Sequence, residues 1–305
     1  MPRKTEPKII RQIVQEALAL EEQSAQEAGS LGFVARCMVQ ATMPHSKVEG
    51  NYFQRKNGNF ELILMGNPSI GLPYGSIPRV LLAWMTTEVV RTKDSTLLLG
   101  DTLSSFMADL DLTPTGGRWG SIPRLRSQMQ RLFSCTISCN YADPNRGGAA
   151  GINMMIAESY AMWWKPQEPH QAALWQSFVT LGNRFYNEIL EHNVPIDKRT
   201  LKALRRSPLA LDVYTWLTYR MSYLSRSTEI PWEALAAQFG SDYANLRDFK
   251  IKFRNAMSKV LAQYKQVNVR EEKHALVLKP SPTHVKSFPP LPVKDKTFPR
   301  INGRK

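Results

Sequence analysis

The segment SIPRLRSQMQRLF, residues 121–133, carries side chains suited to reading another molecule. At helical spacing Ile122, Leu125, Met129, Leu132 and Phe133 form one apolar stripe. Arg124, Gln128 and Arg131 line another face at i, i+4 and i+7, with Arg126, Ser127 and Gln130 flanking it. The chemistry of such a face is recognition of base edges. A guanidinium fits guanine bidentately and a carboxamide fits adenine, each good pair giving about 1–3 kcal/mol of discrimination. A second set, Arg247, Lys250 and Arg254, recurs at i, i+3 and i+7 in YANLRDFKIKFRNAMSKVLAQY, opposite Leu246, Phe249, Phe253, Met257 and Tyr264. Arg118, Arg146, Lys273 and His274 fall in predicted turns or wings, where phosphate or minor-groove contacts are expected to position without specifying.

The charge balance points the same way. Forty Lys and Arg against 26 Asp and Glu give a net charge of +14. The excess is uneven: residues 1–50 are neutral, while residues 171–278 carry 16 basic and 10 acidic side chains and residues 279–305 carry 7 and 1. A basic surface without a membrane segment favours a polyanionic partner, because neutralised phosphates release their counterions. No run approaches the ~18 apolar residues of a membrane span. With neither a secretory nor a transit signal evident, the expected location is the cytoplasm.

Other chemistries find little support. Cys37, Cys135 and Cys139 make an odd count, and the five histidines form no HxH or HxxxH pair, so reduced thiols are expected and no metal or cofactor. A P-loop needs GxxxxGK[ST], and the dipeptide GK is absent. A nicking enzyme would need a metal-binding His pair beside its tyrosine. The chain is therefore read as non-enzymatic.

These side chains must be positioned by a repeated set of elements. Residues 8–28 predict an amphipathic helix through Ile10, Ile13, Val14, Ala17 and Leu18, and residues 40–59 read as a linker. FELILMG is a buried strand. The pentapeptide GSIPR, present at Gly75–Arg79 and Gly120–Arg124, opens two helices, with Ser as the expected N-cap and Pro in the first turn. Between them lie a short strand (STLLLG) and a helix that Asp101 is expected to cap. After the second copy, CTISCNY and INMMIAESYAMWW predict a hairpin. This order returns downstream from Ser207-Pro208 to ALVL, offset by about 130 residues. Trp84 answers Trp216, Ser95-Thr96 answers Ser227-Thr228, and Phe106 answers Phe239. The predicted fold is mainly α with small β-sheets, as tandem winged helix-turn-helix domains. The predicted division is a helical and linker segment (1–54), a first winged-helix domain (55–168), a second (169–279) and a disordered basic Pro-rich tail (280–305). Two recognition helices in one chain would span consecutive major grooves about 34 Å apart, which calls for a repeated site longer than ten base pairs.

FELILMGNPSIGLPYGSIPRVLLAWMTTEVVRTKDSTLLLG, FMADLDLTPTGGRWGSIPRLRSQMQRLF and SPLALDVYTWLTYRMSYL resemble the plasmid-encoded RepA family of bacterial replication initiators, and more distantly the TrfA initiators. The resemblance runs in order over roughly residues 55–280. It implies a theta-type initiator that binds iterons, the repeated double-stranded sites of a plasmid origin. It further implies DnaA and the DnaB helicase of the host as partners, and exchange between homodimer and monomer. A transcriptional regulator of the same fold is the alternative, since fold alone does not fix function.

Overall fold

A computed structural model of the chain describes residues 31–40, 42–143, 148–240 and 245–285. The predicted helix at 8–28, Arg146 and the tail beyond residue 285 lie outside these residues. In order the chain forms Leu31–Ala35 (β1), Cys37–Gln40 (α1), Tyr52–Asn57 (β2), Phe60–Met65 (β3), Ser76–Thr92 (α2), Thr96–Leu98 (β4), Leu103–Asp109 (α3), Ser121–Phe133 (α4), Thr136–Asp143 (β5), Gly148–Met155 (β6) and Ala157–Ala161 (β7). It continues through Phe178–Leu181 (β8), Asn183–Glu191 (α5), Asn193–Asp197 (β9), Lys198–Leu204 (α6), Pro208–Tyr223 (α7), Thr228–Pro231 (β10), Trp232–Phe239 (α8), Leu246–Gln263 (α9), Asn268–Glu271 (β11) and Ala275–Lys279 (β12). The described residues thus hold nine helices and four small antiparallel sheets, so the fold is mixed α/β rather than mainly α.

Part of the additional strand content lies where a linker was expected; β1 pairs with β9, and β8 lies between β4 and β7. β2 pairs with β3 across the turn at Gly58, and both join the β5–β6 hairpin in the order β2-β3-β5-β6. YFQRKN hides its alternation because an inward position is Arg55, buried with its Nε donating to the Thr42 carbonyl at 3.4 Å and its guanidinium 5.0 Å from the Phe53 ring. The run INMMIAESYAMWW breaks at Ile156 into two strands of different sheets: β6 stays in the hairpin, whereas β7 joins β8 and β4.

Two hydrophobic clusters organise the molecule. The first gathers Leu62, Leu81, Met85, Phe106, Leu125, Leu132 and Ile137, together with Val179, Leu181, Phe185 and Ile189 of β8 and α5. The second gathers Val34, Ile196, Tyr214, Trp232, Phe239, Phe249, Phe253, Val260 and Leu278. The repeated landmarks occupy matching places in the two. Trp84 meets Phe106 edge-on at 5.1 Å and 85°, and Trp216 meets Phe239 edge-on at 5.3 Å and 79°. Such T-shaped pairs contribute about 0.5–1.5 kcal/mol beyond the area they bury. The sheets differ, however. β10 lies beside β12 of the following hairpin, whereas β4 pairs with β8 and leaves the β5–β6 hairpin to β3.

Helix starts follow local chemistry. Ser207 caps α7 by accepting from the Ala210 N–H, with Pro208 following in the first turn, and Asn245 caps α9 by accepting from the Asp248 N–H at 2.9 Å. Thr102, and not Asp101, caps α3, in a capping box with Ser105. The cap residue of both GSIPR helices is glycine, and the serine is the first helical residue. Gly75 has φ 77°, a left-handed conformation costly for other residues. At Gly120 a Cβ would stand 2.2 Å from the Thr115 carbonyl oxygen. Chain just beyond β12 is also packed rather than loose: Val285 is buried, and His284 Nδ1 lies 2.9 Å from the Tyr214 hydroxyl.

A buried ionic cluster joins α2 to α7. Arg79 donates from Nε and a terminal nitrogen to the two carboxylate oxygens of Asp212, each at 2.6 Å, and also to the carbonyls of Met43 (2.7 Å) and Gly75 (2.7 Å). His45 Nε2 lies 2.7 Å from Asp212 Oδ2. Burial opposes ionisation of Asp212, but Arg79 and His45 outweigh it and hold the carboxyl below its ordinary value. Burial lowers the pKa of His45; its carboxylate neighbour Asp212 opposes this, while the positive charges of Arg79 and Arg55 add to the lowering.

Candidate nucleic-acid interface

On α4 the apolar stripe of Ile122, Leu125, Met129, Leu132 and Phe133 is buried against the first cluster, as its spacing requires. The remaining faces separate into three kinds of side chain. Arg124 and Gln130 are exposed; Arg124 donates only to the Gly120 carbonyl, at 3.2 Å. Arg126 is half-exposed and makes no hydrogen bond or ion pair with another described residue. Ser127 and Arg131 are half-buried and partly engaged: Arg131 donates to Ser127 Oγ (3.3 Å) and to the Leu72 carbonyl (3.2 Å), and lies 5.6 Å from the Tyr74 ring. Arg131 thus braces the 71–74 loop while presenting part of its guanidinium.

Gln128 requires a correction. It is only 5% exposed, and its Oε1 accepts from the Tyr74 N–H at 2.9 Å. The carboxamide expected to read adenine is engaged in the fold. Position 128 borders the apolar stripe, and a backbone donor from a loop 54 residues away decides its use.

The electrostatics of this face are one-sided. From Leu112 to Ala142 the chain carries Arg118, Arg124, Arg126 and Arg131 and no carboxylate. Arg118 is exposed in the loop that enters α4, its guanidinium 5.2 Å from the ring of Trp119.

The outward face of α9 differs from its predicted set. Arg247 is exposed, with no partner among the described residues. Lys250 and Arg254 turn toward the β11–β12 hairpin. Lys250 lies 3.5 Å from the Lys273 carbonyl, Arg254 Nε donates to Glu271 Oε1 at 2.8 Å, and both cations lie over the Trp232 ring at 5.2 and 5.8 Å. Between Arg247 and these groups, exposed Ile251, Lys252 and Asn255 face outward. The spacing rule favoured cations three and four apart and so passed over Lys252 and Asn255, which are exposed while Phe249 and Phe253 are buried as expected.

The β11–β12 turn is fixed to α8 through Trp232, whose backbone N–H donates to the His274 carbonyl and whose Nε1–H donates to the Glu272 carbonyl, both at 3.2 Å. Lys273 and His274 are exposed on that turn. Arg146, between β5 and β6 in the sequence, is outside the described residues.

Other titratable groups among the described residues line a cleft or lie buried in the core. A cleft of about 510 Å³ between α2, α3 and α6 holds Glu88, Asp109, Lys198 and Lys202 and is lined by neither His nor Cys. Burial, then Glu88, pushes the Asp109 carboxyl up, while Lys198 opposes them. Cys139 lies in β5 and Cys135 just before it; all three thiols are buried, and burial pushes Cys135 up to about 12. Among the described residues no group of three or more His, Cys, Asp or Glu could hold a metal ion, and no helix is long and apolar enough to cross a membrane.

The model of the plasmid-encoded RepA protein family matches residues 72–234, from before α2 into α8 and more than half of the chain. This chain belongs to the plasmid-encoded RepA family. It is a family of replication initiators. α4 lies within the matched segment and α9 beyond it. A comparison with curated protein sequences gives no match. Two solved structures of domains 2 and 3 of RctB, one a selenomethionine derivative, match with TM-scores of 0.48 and 0.49. Each is 12% identical over 79% of this chain and covers 96% and 95% of its own.

Proposed function

We propose that this chain initiates plasmid replication by binding repeated double-stranded origin sites through two basic helices, α4 and α9. The observation that carries this reading is α4 itself. Its apolar stripe is buried, its opposite side presents Arg124, Arg126 and Gln130, and no carboxylate occurs between residues 112 and 142. Such a helix neutralises phosphates and offers planar donors to base edges. In a family of replication initiators, the DNA concerned is the plasmid origin.

The two units are read as tandem winged helices. In the second, helix α7, strand β10, helices α8 and α9, and hairpin β11–β12 follow in order, with the sheet arranged β10-β12-β11. There Arg247 and Lys252 lead the base-facing side, while Lys273 and His274 hold phosphates. The first unit repeats the helix order with its hairpin drawn into a larger sheet. Two such readers on one duplex select a direct repeat longer than ten base pairs, the size of an iteron. The reading carries no catalytic step: bound at the origin, the chain recruits DnaA and DnaB, and a homodimer exchanges with the monomer that binds.

The test is binding to a duplex of tandem origin repeats at about 0.15 M salt. Arg124→Glu with Arg126→Glu should weaken binding at least a hundredfold while the unfolding midpoint stays unchanged, since neither side chain packs in the core. Unchanged affinity would remove α4 from the interface. Supplying the gene in trans to an origin fragment separates initiator from regulator: plasmid maintenance is expected, and its failure would favour the regulator.

A further inference from the structure

We propose that Trp119 is a nucleobase-stacking residue, held out from the protein by a clamped loop at the head of α4. The inference rests on the reading that α4 faces nucleic acid. Trp119 is 81% exposed, the most open of the exposed tryptophans. Leaving a large apolar side chain in water forgoes roughly 1.5–3 kcal/mol of burial.

The loop is built to keep it there. Thr115 and Ser121 close its base: the Thr115 N–H donates to Ser121 Oγ (2.9 Å), the Ser121 N–H donates to Thr115 Oγ1 (2.8 Å), and the Ser121 hydroxyl donates to the Thr113 carbonyl (2.6 Å). Two backbone bonds, Gly120 N–H to Gly117 O (3.0 Å) and Ile122 N–H to Thr115 O (3.2 Å), complete the clamp. The enclosed tip reads Gly-Gly-Arg-Trp-Gly, so Arg118 and Trp119 are its only side chains. A mobile loop would let the indole fold back onto the surface. This one is pinned to buried Ser121 and to the first turn of α4.

The chemistry around the indole identifies its ligand. Arg118 lies 5.2 Å from the ring, exposed Arg124 and half-exposed Arg126 follow on the adjoining helix, and no carboxylate is near in sequence. A nucleobase satisfies both parts at once, with its π-face for the indole and its phosphates for the arginines. Exposed Trp163 and Trp175 lack this setting: they stand on the β7–β8 connection, where Lys165 is paired with Glu168 at 3.5 Å. The stacked base could come from a duplex step opened by an inserted wedge or from an unpaired strand; both offer the same π-face.

Two probes distinguish the sources: the tandem-repeat origin duplex, and a single strand of about 20 nucleotides from the AT-rich part of the same origin, each carrying 2-aminopurine. Trp119→Ala should weaken binding to at least one probe about fivefold or more, the lower end for one stacked base. Trp119→Phe should restore most of it, with 2-aminopurine quenching retained for Phe and lost for Ala. Loss on the duplex means a wedge; loss confined to the single strand means stacking on an unpaired base. Wild-type affinity of Trp119→Ala for both probes, or equal losses for Ala and Phe, overturns the proposal. If Arg124→Glu/Arg126→Glu abolishes duplex binding while Trp119→Ala changes nothing, only this inference fails. If the charge reversal also changes nothing, the reading beneath it fails.

Discussion

Gly75–Arg79 and Gly120–Arg124 are the same five residues put to opposite uses. Both begin a helix at Ser with glycine as the cap, and both arginines reach back to the carbonyl of their own cap glycine, at 2.7 and 3.2 Å. There the likeness ends. Arg79 is 8% exposed and grips Asp212 of α7 with two hydrogen bonds, whereas Arg124 stands in solvent. The pentapeptide dictates the cap and the first turn. What lies across from the helix decides whether its arginine joins two units or faces a ligand. In α2 the continuation VLLAWM is apolar nearly all round and its first turn is covered; in α4 the continuation LRSQMQ leaves one side open.

The largest effect should come from breaking the buried copy. Asp212→Ala leaves the buried Arg79 charge without its carboxylate, and Arg79→Ala leaves buried Asp212 with His45 alone, at a cost of about 3–5 kcal/mol in chemical denaturation. Arg124→Ala should stay within about 0.5 kcal/mol. Equal losses for the two arginines would break the comparison. Gln128→Ala comes next. It strips the acceptor from the Tyr74 N–H and should cost about 1–3 kcal/mol, with base preference unchanged. A changed preference would return Gln128 to the reading face.

The smallest effect is pH dependence at the α2–α7 junction. The folded pKa of His45 is depressed, so its neutral form is favoured in the fold; stability falls as pH drops below its unfolded value near 6.5, by less than about 1.4 kcal/mol per unit. The charged groups facing it are Asp212, Arg79 and Arg55. The folded pKa of Asp212 is also depressed, so its contribution is complete above about 3.9 and is lost as pH falls through the folded value. Denaturation midpoints should be level above pH 7 and decline toward pH 5; His45→Gln should shrink the decline, and the remainder belongs to His284, whose pKa burial also lowers. A decline unchanged in His45→Gln would place its origin elsewhere.

What could be read from the sequence was local or periodic. The buried stripe of α4 follows from its spacing, and Trp84–Phe106 and Trp216–Phe239 form matching pairs where the 130-residue repeat put them. What escaped depends on distant partners. β4 finds β8 some 80 residues away, and β2 was hidden by an inward arginine. Gln128 was claimed by the backbone of Tyr74, and Lys250 and Arg254 by a hairpin and a tryptophan. One signal was present and overlooked. A single carboxylate in the apolar run LALDVYTW needs a buried partner, and Arg79 is that partner.

The salt dependence of binding to the tandem-repeat duplex tests the central claim most directly. The wild-type plot of log K against log salt should be steep, about −0.9 for each phosphate neutralised. Arg124→Ala with Arg126→Ala should make the slope shallower by about two units. A flat wild-type response, or a slope that ignores both substitutions, would contradict the assignment of α4 to the DNA.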